Sequence, residues 1–180
     1  CSSNSDNKIL VSIGTYNQKM IYEKIDNKII GYEQEVIGPY SEMKNSYSRT
    51  LPSINICDRF NIIIHMIKLE YEYLSGYNIN RFKIYSILYL YIQWNKWFKN
   101  NKYKAVLQFN DHNSTHRVIY FAAKRNNIPV IFVPHASAGS KYPPLQYDLS
   151  LLEGEESYKK YKEIGNMKGK VVLVGNPKYD

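Results

Sequence analysis

Residues 105–133 read AVLQFNDHNSTHRVIYFAAKRNNIPVIFV and form the most regular part of a chain of 180 residues. Residues 105–109 and 128–133 are short apolar runs rich in β-branched side chains, which is typical of buried strands. Residues 114–126 between them have the length and composition of a helix. This pattern predicts two parallel strands that are connected and covered by a helix.

The same alternation continues towards residue 180. Residues 147–152 and 170–174 are predicted to be strands, and Glu155–Ile164 is predicted to be a helix. Glu155 and Glu156 fall near the start of that helix, where the backbone dipole favours negative charge. The predicted strands lack the polar alternation of a half-exposed sheet, so we expect helices on both faces. The sequence therefore predicts an α/β, Rossmann-like fold with a parallel sheet covered by helices.

The first 100 residues carry weaker signals. Residues 8–15 read as a strand that ends at Gly14, followed by a helix over residues 18–25 and a strand over residues 28–37. Residues 40–53 contain several breakers and are predicted to be a loop. Residues 54–100 are predicted to be helical, because apolar side chains from Phe60 to Tyr71 recur at spacings of three and four. Residues 75–78 are expected to divide this region into two helices.

The second of these two helices is apolar around much of its circumference. Its stripe consists of Ile84, Ile87, Leu88, Tyr91, Trp94 and Phe98. One interpretation is a helix packed between the sheet and neighbouring helices. The other is an interfacial helix whose Lys96 and Lys99 face anionic lipid, which would make residues 81–104 a peripheral membrane contact.

The composition excludes several classes of protein. Hydrophobic residues make up 44% and charged residues 22% of the chain, as in ordinary globular domains. The net charge of +8 is dispersed, with 12 basic and 9 acidic residues before position 101 and 12 and 7 after it, so no nucleic-acid partner is predicted. The two cysteines cannot form a disulfide scaffold and favour a reducing, cytoplasmic location. No apolar run reaches the roughly 18 residues that span a bilayer.

Polar residues after the predicted strand at 105–109 form the first candidate site. Ligands of open parallel sheets bind beyond the carboxyl ends of the strands, which places Asp111, His112 and His116 at the expected edge. Asp111 and Asn113 also have a structural alternative, because Asx residues favour helix caps and turns. A metal site needs a further ligand that the spacing does not supply, so none is predicted.

The loop after the strand at 128–133 is the second and stronger candidate. It reads PHASAGS over residues 134–140, so small residues that leave space for a ligand follow His135. A histidine at this place can act as a general base or hold a phosphate. Its alternative role is that of a hydrogen-bonded scaffold residue. The candidate ligand contacts in this loop are Ser137, Gly139 and Ser140.

The third candidate is the exit from the strand at 170–174. Gly175 can adopt a positive φ, and Pro177 pushes Asn176 towards extended geometry. A simple turn is the alternative. The sequence contains no Gly-x-Gly-x-x-Gly or Walker phosphate loop and no Gly-x-Ser-x-Gly nucleophile elbow.

Three segments, taken in order, resemble a known arrangement. They are HASAG at 135–139, YDLSLLEG at 147–154 and VVLVGNPKYD at 171–180. They are similar to the domain junction of bacterial transferases of the GT-B fold, which have two Rossmann-like domains. The nearest relatives by pattern are CDP-glycerol glycerophosphotransferase-like and surface-polysaccharide glycosyltransferase proteins, and non-hydrolysing UDP-N-acetylglucosamine 2-epimerases are more distant. The resemblance covers residues 104–180, with Ala136 where the family usually has glycine.

The resemblance implies that residues 1–174 are an N-terminal, acceptor-side domain and that residues 175–180 start the linker to a C-terminal nucleotide-binding domain. The implied reaction moves a sugar or glycerophosphate from a nucleotide-activated donor, without a cofactor, to a surface-polysaccharide or lipid-linked acceptor at the inner face of the cell membrane. His135 would remove the acceptor proton, and Asp111 is the second candidate catalytic residue. The candidate substrate-binding residues are His112, Ser137, Gly139, Ser140, Gly175 and Asn176.

Two alternatives stay open. A sugar-nucleotide 2-epimerase has the same two-domain fold and a cleft loop with a histidine. It needs paired carboxylates, of which the sequence indicates only Asp111 at the cleft edge. A non-catalytic Rossmann-like module would bind anionic ligands through its net positive charge, although the dispersed lysines argue against it.

Overall fold

The computed structural model describes residues 8–26, 32–38, 51–69, 71, 80–135, 139 and 142–175. The strands in this part of the chain are β1 (Lys8–Ser12), β2 (Glu33–Ile37), β3 (Ala105–Gln108), β4 (Val130–Phe132), β5 (Leu149–Leu152) and β6 (Lys170–Leu173). The helices are α1 (Tyr16–Asp26), α2 (Ile56–Leu69), α3 (Arg81–Asn100), α4 (Ser114–Arg125) and α5 (Glu155–Ile164).

The described strands form one parallel sheet in the order β2-β1-β3-β4-β5-β6, which confirms the predicted α/β, Rossmann-like class. Leu10 of β1 pairs with Glu35 of β2 on one side and with Val106 of β3 on the other. The chain thus moves from β1 to β2, returns past β1 to β3, and then adds β4, β5 and β6 in sequence order. This reversal makes the crevice between β1 and β3 the switch point, where open parallel sheets bind ligands.

The helices divide unequally between the two faces of the sheet. Right-handed crossovers place the helix of the β1–β2 connection on one face and those of the later connections on the other. The packing of the core agrees with this arrangement, because Ile21 and Tyr22 of α1 pack on Val11 and Val36 on one face. On the opposite face, side chains of α3, α4 and α5 share a larger cluster with Val106 and Phe132. Among the described helices, α1 alone contributes to the core of its face.

Most predicted elements are confirmed with small shifts at their ends. The helix Glu155–Ile164 has the predicted bounds, and β5 begins two residues later than predicted, at Leu149. β2 begins at Glu33 rather than at residue 28, and residues 28–31 lie outside the described part. Most of the predicted loop at 40–53 and the helix break at 75–78 also lie outside it.

The helix α3 packs between α2 and α4. Trp94 and Phe98 are buried in the core, whereas the rest of the predicted stripe is half-buried. Lys96 makes an ion pair with Asp58 of α2, and Asn95 accepts a hydrogen bond of 2.9 Å from Asn126 just beyond α4. These contacts favour the packed interpretation of this helix. None of the described helices is long and apolar enough to cross a membrane.

Candidate functional site

The switch point is lined on one side by the connection from β1 to α1. Gly14 donates its backbone N–H to Oε1 of Gln18 at 2.6 Å, and α1 begins at Tyr16 without an acidic residue in its first turn. A side chain at Gly14 would lie 3.0 Å from the His116 ring, so glycine permits the close approach of α1 and α4. The positive end of α1 therefore faces the crevice with its charge uncompensated by that turn.

The segment after β3 is shaped by two asparagines. Oδ1 of Asn110 accepts hydrogen bonds from the backbone N–H groups of His112 (3.1 Å) and Asn113 (2.8 Å). Asn113 is the N-cap of α4, and its Oδ1 accepts from Thr115 N at 2.8 Å. The structural alternative is thus confirmed for Asn113. The side chain of Asp111 instead contacts Tyr161 and His112.

Asp111 is buried, and its carboxylate has specific partners. Its Oδ2 accepts a hydrogen bond from the Tyr161 hydroxyl of α5 at 2.8 Å, and its Oδ1 lies 3.3 Å from Nδ1 of His112. Burial, and then the charge of Asp111, raise the pKa of Tyr161, so this phenol stays a neutral donor. Asp111 is 2% exposed, so its carboxylate acts on its neighbours rather than on solvent.

His116 lies beneath the crevice on the first turn of α4. It is 5% exposed, and burial, followed by the charges of His135 and His112, lowers its pKa to about 4. A weak contact with the Ser12 backbone opposes this shift. Its ring nitrogens make no well-formed hydrogen bond in the described part of the chain, and neither does Nε2 of the buried Gln18. Two neutral polar groups that could bind a ligand oxygen therefore converge next to Gly14.

His135 and His112 form the outer part of the site. Nδ1 of His135, which follows β4, contacts the carbonyl oxygen of Phe109. An acceptor on Nδ1 fixes the proton there, so Nε2 carries the basic lone pair. The ring of His112 lies nearly parallel to that of His135, with centroids 6.4 Å apart, and stacks on Tyr142 at 4.5 Å. His112 has a side chain that is 41% exposed, so this part of the site opens to solvent.

The structure brings together some of the predicted site residues. Asp111, His112 and His135 form one cluster, and Gly139 accepts a hydrogen bond from the backbone of Tyr142, which stacks on His112. Gly175 has the predicted positive φ, at 84°. It follows β6, which is three strands from β3 and two from β4, so the strand spacing alone separates it by about 14 Å from Asp111 and by about 10 Å from His135. Ser137, Ser140 and Asn176 lie outside the described residues.

Sequence reasoning missed several members of this site. Tyr161 lies in a helix for which the sequence predicted only the secondary structure. Its partner Asp111 is 50 residues away in the sequence. Gln18 and Gly14 join the site because β1 and β3 are neighbours, and the strand order cannot be read from local pattern. His116 was not missed, because it shares the segment of Asp111 and was expected at the same edge of the sheet. No group of three potential metal ligands occurs among the described residues.

The fold and this cluster define the class: a Rossmann-like domain with a polar site at the switch point of a parallel sheet. Similar solved structures are GT-B enzymes. UDP-GlcNAc 2-epimerase from Neisseria meningitidis, bound to UDP-GlcNAc, has a TM-score of 0.55 and 15% identity over 94% of this chain and 47% of that one. UDP-N-acetylglucosamine 2-epimerase from Rickettsia bellii has a TM-score of 0.52 and 14% identity over 96% and 45%. MurG from Acinetobacter baumannii has a TM-score of 0.50 and 14% identity over 94% and 46%.

At these identities the likeness shows the fold alone, and the chain spans just under half the length of these structures. No protein-family profile and no curated protein sequence matches the chain. The comparisons therefore agree with the GT-B likeness that was expected from residues 104–180. They do not extend to a CDP-glycerol or surface-polysaccharide family.

Proposed function

We propose that the chain is the acceptor-side domain of a GT-B transferase, which moves a sugar or glycerophosphate from a nucleotide-activated donor to an acceptor hydroxyl. The acceptor in this proposal is a surface polysaccharide or a lipid-linked glycan. A second domain would bind the nucleotide, since the chain spans just under half of the GT-B structures that share its fold. The activated donor is a substrate, and the proposal needs no cofactor.

The observation that carries this proposal is the fixed tautomer of His135. Its Nδ1 faces the carbonyl oxygen of Phe109, so Nε2 is the basic atom of the ring. A general base must present such a lone pair at the edge where a substrate binds. His135 follows β4, beside the switch point, and this position and the contact of its Nδ1 support the proposal.

The reaction is a proton transfer coupled to a displacement. Nε2 of His135 takes the proton from the acceptor hydroxyl as its oxygen forms a bond to the anomeric carbon or the phosphorus of the donor. The bond from that atom to the nucleotide breaks, and the leaving nucleotide phosphate keeps the electron pair. The imidazolium of His135 then releases its proton to solvent. Positioning of the two substrates supplies much of the acceleration in such reactions.

The other residues would bind and orient the substrates. Asp111 lies 3.3 Å from Nδ1 of His112 and, held by Tyr161, acts as a positioning residue for this exposed ring. Gln18 and His116 offer neutral hydrogen-bonding groups beside the positive end of α1, which suits an oxygen-rich ligand. Ser137, Gly139 and Ser140 of the loop after β4, and Gly175 and Asn176 after β6, remain proposed contacts.

The proposal is tested with the full-length protein and a panel of CDP-, UDP-, GDP- and CMP-linked donors. We expect nucleotide release that depends on an acceptor, and a loss of about 10²–10⁴-fold in kcat for His135→Gln. His65→Gln is the matched control, because His65 is an exposed histidine of α2 whose Nδ1 also contacts a backbone carbonyl. Near-normal turnover of His135→Gln would exclude His135 as the base.

The 2-epimerase alternative is separated by the same assay. Two of the similar structures are UDP-GlcNAc 2-epimerases, which supports keeping this candidate. An epimerised UDP-sugar, formed without transfer to any acceptor, would replace the transferase proposal by this one. A protein that binds donors but changes none of them would instead be a non-catalytic binding module.

A further inference from the structure

Three buried polar side chains at the switch point lack hydrogen-bond partners. Nε2 of Gln18 and both ring nitrogens of His116 make no well-formed hydrogen bond within the described part of the chain, and neither does Oε1 of Gln108. Gln18 and Gln108 are 0% exposed and His116 is 5% exposed, so bulk water does not reach these atoms. Such groups are rare in folded proteins, and each one indicates a partner that the described residues do not supply.

These side chains converge on Gly14 and the end of β1. Oε1 of Gln18 accepts the Gly14 N–H, and a Cβ at Gly14 would lie 3.0 Å from Cε1 of His116. Gln108 of β3 is the register partner of Ser12 of β1, and its Nε2 donates a hydrogen bond of 2.9 Å to the His116 carbonyl oxygen. Gly14 and the three residues after it are exposed. The unpartnered atoms of Gln18, His116 and Gln108 therefore form one group just beneath the surface, the switch-point pocket.

The hydrogen-bonding character of the switch-point pocket is mixed. Nε2 of Gln18 is a donor, and Oε1 of Gln108 is an acceptor. His116 is neutral at physiological pH because burial lowers its pKa to about 4, so its ring has one donor and one acceptor. A hydroxyl group both accepts and donates hydrogen bonds, and it is therefore complementary to this arrangement. An ionised phosphate oxygen only accepts, so it would meet the lone pairs of Gln108 and His116 without a hydrogen.

The start of α1 does not turn this pocket into an anion site. The N–H of Gly14 is engaged by Gln18, and the N–H of Gln18 contacts Oγ1 of Thr15 at 3.4 Å. Lys19, the first basic residue of α1, pairs with Glu23 at 3.8 Å. The backbone donors and the cation that would bind a phosphate are thus partly engaged by the chain itself.

The switch-point pocket lies beside the proposed catalytic histidine. The charges of His135 and His112 act on His116, so the pocket and these two rings belong to one site. We infer that the switch-point pocket binds a hydroxyl group of an uncharged sugar or polyol, which accepts from Gln18 and donates to Gln108 or His116. The inference rests on the proposed function in taking this ligand as the acceptor. It makes an uncharged part of the acceptor, rather than a phosphate, the part that is recognised at the switch point.

The test measures ligand binding to the full-length protein in the absence of a donor. The uncharged probes are glycerol and the methyl glycosides of glucose, galactose and N-acetylglucosamine, and the anionic probe is inorganic phosphate. Saturation-transfer NMR detects binding, and titration gives the dissociation constants. We expect at least one uncharged probe to bind and excess phosphate not to displace it.

Two variants connect this binding to the pocket. Gln18→Leu removes a donor and should weaken binding of the uncharged probe about tenfold, because a buried hydroxyl loses one hydrogen bond. Gly14→Ala places a Cβ against the His116 ring and should weaken binding by at least as much. Gln93→Leu is the control for the first variant, because Gln93 is a half-buried glutamine of α3 whose Nε2 donates to the Pro52 carbonyl oxygen at 3.0 Å. Gly154→Ala, which meets nothing within 4 Å, is the control for the second.

Four outcomes would overturn the inference. They are phosphate binding in competition with the uncharged probes, unchanged binding by Gln18→Leu and Gly14→Ala, an equal loss in the two controls, and no binding of any uncharged probe, which would assign the pocket to an internal water. Circular dichroism of each variant shows that a loss of binding is not a loss of fold. Because no donor is present, a protein that binds the uncharged probes but transfers nothing would contradict the proposed function and leave this inference standing.

Discussion

Replacement of His116 by glutamine should remove an acid-sensitive contribution to stability. The pKa of His116 falls from 6.5 to about 4 in the folded protein, because burial and two neighbouring histidines disfavour its charged form. A depressed folded-state pKa stabilises the protein above the unfolded-state value, and this stabilisation is lost as pH falls towards the folded-state value. The sensitive window therefore runs from about pH 6.5 to pH 4.

The size of the effect follows from the two pKa values. Linkage with these values lowers the free energy of unfolding by about 2 kcal/mol at pH 5 relative to pH 7.5. The decrease reaches about 3 kcal/mol when the pH falls through the whole window. His116 is 5% exposed, so solvent screening reduces this figure little. Carboxyl groups titrate in the same range. The change in unfolding free energy with pH is therefore compared between the wild-type protein and the variant.

Urea unfolding at pH 7.5, 6, 5 and 4.5 measures this difference. We expect the wild-type protein to lose about 2 kcal/mol more than His116→Gln between pH 7.5 and pH 5. His65→Gln, which removes an exposed histidine of α2, should follow the wild-type curve. If the unfolding free energies of the wild-type protein and His116→Gln change in parallel with pH, the claim that His116 is buried in its neutral form is refuted.

Two further predictions concern the support of the site. Tyr161→Phe removes the 2.8 Å hydrogen bond to the buried Asp111 and should lower the free energy of unfolding in urea by about 1–3 kcal/mol. A variant as stable as the wild-type protein would contradict this prediction. Gly38→Ala places a Cβ 1.8 Å from the carbonyl oxygen of Ile13 at a φ of 151° and should cost about 2 kcal/mol or more. Gly154→Ala meets nothing within 4 Å and should cost less than about 1 kcal/mol, so similar melting temperatures for the two glycine variants would contradict the contact.

The strands and helices after residue 101 could be predicted because local signals agree there. Each strand is a short apolar run, and the helix α5 has acidic residues in its first turn and Gly165 directly after its last. The segment before residue 101 gave weaker predictions, since the breaks between its elements carry few distinctive residues. The strand order could not be predicted, because pairing of β1 with β3 joins residues nearly 100 positions apart.

The positions of several candidate site residues could be predicted, but their environments could not. His135 and His112 follow strands directly, so the rule for parallel sheets identifies them from position alone. Asp111 was found by the same rule, but its burial against Tyr161 depends on the packing of α5. The environment of His116 results from three separate segments, and no local pattern encodes the resulting change in its pKa.

The different burial of the residues of the proposed site constrains which of them can change without loss of the fold. His112 is largely outside the core, and His135 and Gly139 are half-buried in the loop after β4, so substitutions there should have little effect on folding. Asp111 and His116 are buried, and a substitution at either should disturb the packing around the proposed site. Sequence change in this domain should therefore accumulate first in the loop after β4, while the buried Asp111 and His116 should change more slowly.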